Sequence, residues 1–273
     1  MEKVKHPSFA GMFYPADKKT LAKDVEGYLE FAAKKIDKKL AAKIEGIKII
    51  ISPHAGYKYS GKTAAFGYWL LKNKEQSAKR FVLVGPSHSL YFRGVAVADY
   101  EAWETPLGQI RSSDKATEVM KRSPITVFAD RSAFDKEHCL EAQLPFLQMA
   151  AKEPSILPML YSDVQPERLT EVMSEVDDDN TIFIISSDLS HYMPYEKAVQ
   201  IDSFANEAVP GMDIALMSQK AEACGMTGIL AAMMFAKKNK LNGAMLNYMN
   251  SGDTAGKKDA VVGYGSYVFY RGS

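Results

Sequence analysis

The stretch IKIIIS at residues 47–52, which runs directly into PHAGY at 53–57, decides the fold class. A short, unbroken run of β-branched residues is typical of a strand that is buried on both faces, as in a parallel sheet. RFVLVG at 80–85 and TIFIISS at 181–187 have the same character. Segments with helical spacing separate these runs, so the sequence indicates strands that alternate with helices.

This alternation predicts an α/β fold with a central, mainly parallel or mixed sheet that is flanked by helices on both faces. We expect helices at 18–38, 61–74, 113–122, 138–151, 166–177, 195–208 and 222–238, and further strands at 94–99, 123–130, 155–160, 244–249 and 261–270. No linker rich in Pro, Gly or Ser and no repeat divides the sequence, so residues 1–273 are predicted to form a single domain.

Composition excludes several classes of protein. The 273 residues include 34 basic and 33 acidic side chains, a balance that argues against a general nucleic-acid binder. Two cysteines cannot build a disulfide framework in a chain of this length, which favours a reducing cytoplasm. The N-terminus has no apolar run of signal-peptide length, and the most apolar stretches are far shorter than a membrane span of about 20 residues. We therefore expect a soluble cytoplasmic protein that acts without nucleic acid or membrane.

Three of the five histidines follow the carboxyl ends of predicted strands. His54, His88 and His191 each come three to six positions after the last apolar residue of a run. In a parallel sheet these ends share one edge, and ligands bind in the crevice there. A single such histidine is most often a turn residue, but three in equivalent positions favour a common site.

Histidines in such a pocket are suited to a metal ion. Two imidazoles and a third donor suffice for a mononuclear site, which leaves the remaining histidine free as an acid or base. Asp188, three residues before His191, either orients an imidazole or caps the turn. Cys224 lies near the start of a predicted apolar helix and is either a thiolate ligand or a small buried hydrophobic residue.

A second group of polar residues surrounds Cys139. His138 and Glu141 share one face of a predicted helical turn, and they either line the pocket or form a buried polar pair. Cys139 points elsewhere and is interpreted as packing, and His6 is interpreted as a surface residue.

Residues 56–63, GYKYSGKT, match the phosphate-loop pattern G-x-x-x-x-G-K-[ST] and follow a predicted strand. This favours a different class of protein, an ATP- or GTP-hydrolysing enzyme. Two tyrosines fill a loop whose backbone would have to wrap closely around phosphates, and the histidines at the strand ends stay unexplained. The metal site is therefore the preferred interpretation.

A set of short motifs extends over nearly the whole chain. They are FAGMFYP at 9–15, SPHAGYKYSG at 52–61, GPSH at 85–88, WETPLG at 103–108, EH at 137–138 with Glu141 and QLPF at 143–146, SSDLSHY at 186–192, ACG at 223–225 and SGD at 251–253. In this combination the sequence resembles the Memo family, whose prokaryotic members are also called AmmeMemoRadiSam system protein B.

The resemblance implies a fold like that of the catalytic subunit of class III extradiol dioxygenases. It implies metal ligands at His54, His88 and Cys224, and an acid/base histidine at His191 with Asp188 beside it. The implied metal is a mononuclear iron or copper ion, and a thiolate ligand is also compatible with zinc. The implied partners are a radical-SAM protein and a third member of the system. The resemblance also assigns residues 56–63 to the family's own pattern and not to a phosphate loop.

Two functions follow as hypotheses. The first is a non-haem iron- or copper-dependent redox protein, similar to a dioxygenase or oxidase. Ring cleavage itself does not carry over, because dioxygenases of this class bind iron through two histidines and a carboxylate, and a thiolate takes the third place here. The alternative is an enzyme-like cleft that binds a peptide or protein without catalysis, as the signalling adaptors among eukaryotic family members imply. Candidates for its lining are Tyr57, Tyr59, Tyr91, Tyr192 and Trp103.

Overall fold

The computed structural model describes residues 4–74, 80–123 and 126–272. The strands are β1 (Val4–Lys5), β2 (Glu45–Ser52), β3 (Arg80–Pro86), β4 (Val95–Val97), β5 (Ala102–Thr105), β6 (Gly108–Ser112), β7 (Val127–Ala129), β8 (Ser155–Tyr161), β9 (Thr181–Ser186), β10 (His191–Met193), β11 (Asn242–Asn250) and β12 (Val261–Arg271). The helices are α1 (Lys18–Lys35), α2 (Lys38–Lys43), α3 (Tyr57–Asn73), α4 (Lys115–Arg122), α5 (Ser132–Asp135), α6 (Leu144–Ala150), α7 (Pro166–Val176), α8 (Tyr195–Gly211), α9 (Ile214–Lys220), α10 (Met226–Lys238) and α11 (Ser251–Ala255).

The centre of the sheet consists of four parallel strands in the order β8-β3-β9-β2. β12 pairs antiparallel with β2, and both β11 and β10 pair antiparallel with β12. On the other side of the centre, β6 runs parallel to β8 and forms an antiparallel pair with β5. The sheet is therefore mixed and mostly parallel, as the sequence predicts. The carboxyl ends of β2, β3 and β9 lie at one edge.

Helices cover both faces of this sheet, and the side chains of β2 alternate between two apolar cores. Ile50 belongs to a core that also includes buried residues of α1, α3 and α6. Ile49 and Ile51 belong to a second core with residues of α7, α8 and α10. A run of isoleucines is therefore required on β2, because both of its faces are buried.

The long elements are confirmed, and several boundaries differ from the prediction. The helix expected over 138–151 begins at Leu144, after a 3₁₀ turn at Glu141–Gln143. Pro145 lacks an N–H and is accommodated in the first turn of a helix, which places the start of α6 just before it. The strand expected over 123–130 is reduced to β7, and its residues 124–125 lie outside the described residues. Among the described helices, none combines the length and apolar character needed to cross a membrane.

The segment before α1 is fixed to the rest of the protein by the buried carboxylate of Glu141. This side chain, only 1% exposed, accepts hydrogen bonds from the backbone N–H groups of Ser8 and Phe9 at 2.9 and 2.8 Å. The hydroxyl of Tyr14 donates a third hydrogen bond to it at 2.7 Å. One buried acid therefore satisfies three donors of a segment more than 125 positions away in the sequence.

Two glycines in helices provide a matched test of the packing against β2. A Cβ atom at Gly67 of α3 would lie 2.5 Å from Cγ2 of Ile50, whereas a Cβ at Gly27 of α1 would meet no atom within 4 Å. We expect Gly67→Ala to lower the free energy of unfolding by about 1–3 kcal/mol, because the core has no room for another methyl group. We expect Gly27→Ala to raise it by about 0.5–1 kcal/mol, because alanine loses less conformational entropy in a helix. Urea unfolding of both variants checks the pair, and equal effects would contradict this packing.

The role of Glu141 is tested by Glu141→Gln. An amide N–H₂ facing backbone and phenol donors leaves buried groups unsatisfied, so we expect a loss of about 1–3 kcal/mol in the stability of the docked segment. Hydrogen exchange at the amides of Ser8 and Phe9 should become faster. Glu207→Gln, at an exposed position of α8, is the control and should leave that exchange unchanged. Unchanged protection in Glu141→Gln would show that the segment is held by other contacts.

Candidate metal centre

A cavity of about 970 Å³ opens at the carboxyl edge of the central strands. Among the residues predicted for the site, those that line this cavity are His54, His88, His138, Asp188, His191, Tyr192, Cys224 and Tyr59. His54 and His88 lie in the loops after β2 and β3, and His191 begins β10 a few residues after β9. The three meet at one cavity because the parallel strands end side by side. Cys224 comes from the turn before α10, and Phe13 adds a wall from the N-terminal segment.

Three imidazoles form a cluster at the inner wall of the cavity. Ring centroids of His54, His88 and His138 are 4.8–5.2 Å apart. One ligand nitrogen from each of these residues lies within 4.8 Å of the others. His138, for which the sequence leaves two roles open, is therefore part of the cluster. Imidazole nitrogens at this spacing can hold a metal ion.

Hydrogen bonds determine which nitrogen of His54 faces the cluster. The hydroxyl of Ser186 donates to the carbonyl oxygen of Cys139 at 2.7 Å. Its lone pairs then accept from Nε2 of Gln143, at 2.9 Å, and from Nδ1 of His54, at 3.0 Å. Gln143 is oriented in turn, because its Oε1 accepts from Tyr68 and its Nε2 also donates to the carbonyl of Pro53. Nδ1 of His54 therefore carries the proton, and the lone pair on Nε2 is available to a metal ion.

His88 is oriented in the same way by Glu137. Its Nδ1 donates to Oε1 of Glu137 at 2.9 Å, and its backbone N–H donates to the other carboxylate oxygen. Burial would raise the pKa of Glu137, but the hydrogen bonds from His88 and Cys139 outweigh it and hold this pKa at about 2. The ionised carboxylate keeps the proton of His88 on Nδ1 and leaves Nε2 free, which is how carboxylates beside metal-bound histidines act.

The sulfur of Cys224 lies 3.3 Å from Nε2 of His54. Two ligands of one ion, at bond lengths of about 2.3 Å for sulfur and about 2.1 Å for nitrogen, lie about 3.1–3.6 Å apart for angles of about 90–110°. The pair is therefore spaced as two ligands of a single ion. The backbone N–H of Asp188 also donates to this sulfur, at 3.3 Å. Among the described residues, the groups whose ligand atoms all lie within 4.8 Å of one another are His54 with His88 and His138, and His88 with Glu137 and Cys139. Cys224 belongs to neither group and is close to the first through His54.

Burial favours the neutral forms of His54, His138 and Cys224. Burial and the neighbouring His88 lower the pKa of His54 to about 3, and burial and His54 lower the pKa of His138 to about 4. Burial and the charge of Asp188 raise the pKa of Cys224 to about 12. Cys224 directly precedes Gly225, the N-cap of α10, and so lies near a helix start as the sequence predicts, yet burial outweighs the helix N-terminus and the thiol stays protonated without a metal. The S–H group can donate to Nε2 of His54, in agreement with the tautomer above.

Asp188 and His191 follow β9, and the structure gives them different surroundings. Oδ1 of Asp188 accepts from the backbone N–H groups of His54 and Ala55, at 2.8 and 3.4 Å, and Oδ2 is 4.0 Å from Nε2 of His54. Asp188 thus ties the loop that carries His54 to the end of β9. His191 begins β10, where it pairs with Val262, and its backbone N–H donates to Glu222. Burial raises the pKa of Asp188, and the hydrogen bonds from the backbone of His54 and Ala55 partly offset this rise.

Glu141, Tyr57 and Trp103 are away from the cavity lining, in contrast to their expected positions. Glu141 binds the N-terminal segment, as described above. Tyr57 is 4% exposed and donates to the carbonyl oxygen of Ala142 at 2.7 Å. Trp103 is 2% exposed and packs edge-on against Phe134. Each of these side chains is buried because its ring or carboxylate contacts other buried groups.

The remaining residues of interest have other surroundings. Tyr91 is 71% exposed, and its hydroxyl donates to Asp163. Cys139 is buried and its thiol donates to the carbonyl oxygen of Pro86, so it packs as the sequence predicts. Lys62, the lysine of the phosphate-loop pattern, lies with Nζ 5.3 Å from the ring centroid of Phe31 on α1, and Gly56 is the N-cap of α3. The segment is a helix start with its lysine against another helix, which is not the geometry of a phosphate loop.

Sequence reasoning missed Ser186 and the orienting roles of Glu137 and Gln143. The sequence does show that Ser186 is a polar residue at the end of the apolar strand β9, and this was the signal that could have pointed to it. It could not be assigned a partner, because Gln143 lies 43 positions away and His54 lies 132 positions away in the sequence.

Comparison with known proteins shows the family of the chain. A family model described as Memo-like protein matches residues 5–268. A MEMO1 family protein of Archaeoglobus fulgidus is 34% identical over 277 residues, covering 97% of this chain and 99% of the relative. MEMO1 family proteins of Aquifex aeolicus and Methanosarcina mazei are each 35% identical, covering 98% and 97% of this chain and 99% and 98% of the relatives. The match over nearly the whole length, together with the positions of His54, His88 and Cys224 at one cavity, identifies the chain as a member of the Memo family.

Proposed function

We propose that this protein holds one iron or copper ion through His54, His88 and Cys224 and is a redox protein. The observation that supports this most strongly is the 3.3 Å separation between Sγ of Cys224 and Nε2 of His54, a nitrogen whose lone pair is left free by Ser186. A thiolate with two imidazoles is a donor set that suits copper, iron and zinc. Iron or copper, when bound, would supply one-electron chemistry and polarise a ligand.

The chain's own residues would orient this chemistry. Ser186 and Glu137 fix the two imidazoles so that both Nε2 atoms face the cluster. His191 lines the same cavity and is the proposed acid or base that moves a proton to or from a ligand. Asp188, which is buried and lines the same cavity, holds the His54 loop through its hydrogen bonds to backbone N–H groups and is the proposed residue that orients His191.

A competing donor set consists of His54, His88 and His138. Two observations favour Cys224 over His138 as the third ligand. Sγ of Cys224 is already at the distance expected for a ligand pair with His54. Nδ1 of His138 lies 3.4 Å from Oε1 of Glu137, an oxygen that already binds His88, and the ring of His138 packs on Phe13 with centroids 4.6 Å apart.

The alternative of a peptide- or protein-binding module is favoured by one observation. Tyr192, at the cavity, is 77% exposed and has a positive φ of 57°, a strained backbone conformation of the kind found at binding sites. The two functions differ in their dependence on the metal ligands. Peptide binding that persists without them supports the module, and oxygen uptake that is lost with them supports the redox protein.

Metal content of protein purified without oxygen tests the ligand set. We expect about one iron or copper ion per chain, and we expect Cys224→Ser to lower the affinity at least 10–100-fold, because a serine hydroxyl is a much poorer donor to these ions. Cys139→Ala is the matched control and should retain the metal, because its thiol is bound to a backbone carbonyl. Absence of metal from the parent protein, or metal that survives the triple change of His54, His88 and Cys224 to Ala, would contradict the proposal.

Proton release distinguishes the two donor sets. His54 has a pKa of about 3 and is neutral at pH 7, whereas Cys224 has a pKa of about 12 and must lose its proton to bind. We expect about one proton to be released per ion at pH 7 when Cys224 is a ligand, and a weaker affinity as the pH falls. Titration calorimetry with Zn²⁺ in two buffers of different ionisation enthalpy measures this number. A value near zero in the parent protein, unchanged in Cys224→Ser, would assign the third position to His138.

A further inference from the structure

The cavity has an outer wall that the metal centre does not use. It is formed by Ala255, Lys257, Ala260 and Val262, from the connection between α11 and β12 and from the start of β12. Aromatic rings contribute to the same lining, from Phe13, Tyr59, Tyr192 and Tyr264. A ligand that reaches the inner donors from this wall would therefore pass between apolar and aromatic surfaces.

Charge on the lining is distributed unevenly. Apart from the histidines, Lys257 is the cationic side chain among the described residues that line the cavity, and Asp188 is the carboxylate. Asp188 is buried at the inner wall and accepts hydrogen bonds from His54 and Ala55, whereas Lys257 is exposed. Lys257 is therefore the fixed positive charge of the outer wall among the described lining residues. The outer part of the cavity therefore favours negative charge.

We propose that the ligand of this cavity is a small organic acid with an apolar, ring-bearing body, whose carboxylate binds Lys257 and whose opposite end reaches the histidines. The inference rests on the proposed function only in its assignment of the inner end to the metal centre. A volume of about 970 Å³ is at the upper end of the range of small-molecule pockets, about 300–1,000 Å³. Aromatic walls accept a flat apolar body, and a single cation fixes its orientation.

The chain provides a control lysine next to the one proposed. Nζ of Lys258 lies 4.2 Å from the ring centroid of Tyr195, and the carbonyl oxygen of Lys258 accepts from the backbone N–H of Tyr195. Lys258 does not belong to the cavity lining, although it adds the same charge to the same connection. A methionine at either position removes one charge and keeps a similar length of side chain. Any effect of net charge alone is therefore equal in the two variants.

The experiment measures three probes of one shape on metal-free protein by titration calorimetry at low salt. The probes are biphenyl-4-carboxylate, the neutral biphenyl-4-carboxamide and the cationic 4-phenylbenzylamine. We expect the carboxylate to bind about 3–10-fold more tightly than the amide, and the amine to bind most weakly, because a partly exposed ion pair contributes a modest attraction. In Lys257→Met the carboxylate and the amide should bind equally, and in Lys258→Met the parent preference should remain.

Three results would overturn the inference. They are failure of the carboxylate to bind at millimolar concentration, equal or tighter binding of the amide or amine to the parent protein, and a carboxylate preference that survives in Lys257→Met. Metal uptake by Lys257→Met is measured in parallel. Normal metal uptake by the parent protein with no preference of the parent for the carboxylate refutes this inference alone, and absence of uptake by the parent with its carboxylate preference intact refutes the metal site alone.

Discussion

The hydroxyl of Ser186 is the group on which the arrangement of the donor side chains depends. It closes β9 beside Ser52 of β2, so the backbone pairing of these two strands places it below the loop that carries His54. It has one proton, which it donates to Cys139, and its two lone pairs are shared between Gln143 and His54. The register of two parallel strands thereby determines which nitrogen of His54 faces Cys224. A shift of β9 by one residue would turn this hydroxyl to the other face of the sheet.

Neutral forms of Cys224 and His54 limit the cost of burying these two side chains. A buried thiolate or imidazolium would carry a large desolvation cost, and burial instead keeps Cys224 as a thiol and His54 as a neutral imidazole. Each still has a hydrogen-bond partner, since the thiol and the imidazole can bond to each other. Glu137, behind His88, is ionised, and three N–H donors stabilise it. The protein therefore places a negative charge directly behind one of the proposed ligands.

The sheet and part of the site could be predicted from the sequence. Isoleucines on both faces of β2 indicate a strand buried between two layers of helices, and parallel strands necessarily bring His54, His88 and His191 to one edge. Hydrophobic periodicity does not show which distant segments of the chain approach each other. The expectation that Cys224 lies beside His54 therefore came from the family resemblance. The 3₁₀ turn at Glu141–Gln143 could not be predicted either, because its two polar side chains are buried by partners far away in the chain. The segment around Lys257 has the polar composition of an ordinary solvated loop, so the sequence does not single this lysine out.

The position of the cavity walls in the chain has a consequence for synthesis on the ribosome. Phe13 reaches its place only when the N-terminal segment docks on Glu141, which is translated more than 125 residues later. Val262 and Tyr264 come from β12, which is synthesised long after β2 and is inserted beside it. Segments that leave the ribosome at very different times thus form walls of one cavity. A nascent chain that has not released β12 lacks one wall, so the complete ligand pocket forms only after β12 has left the ribosome.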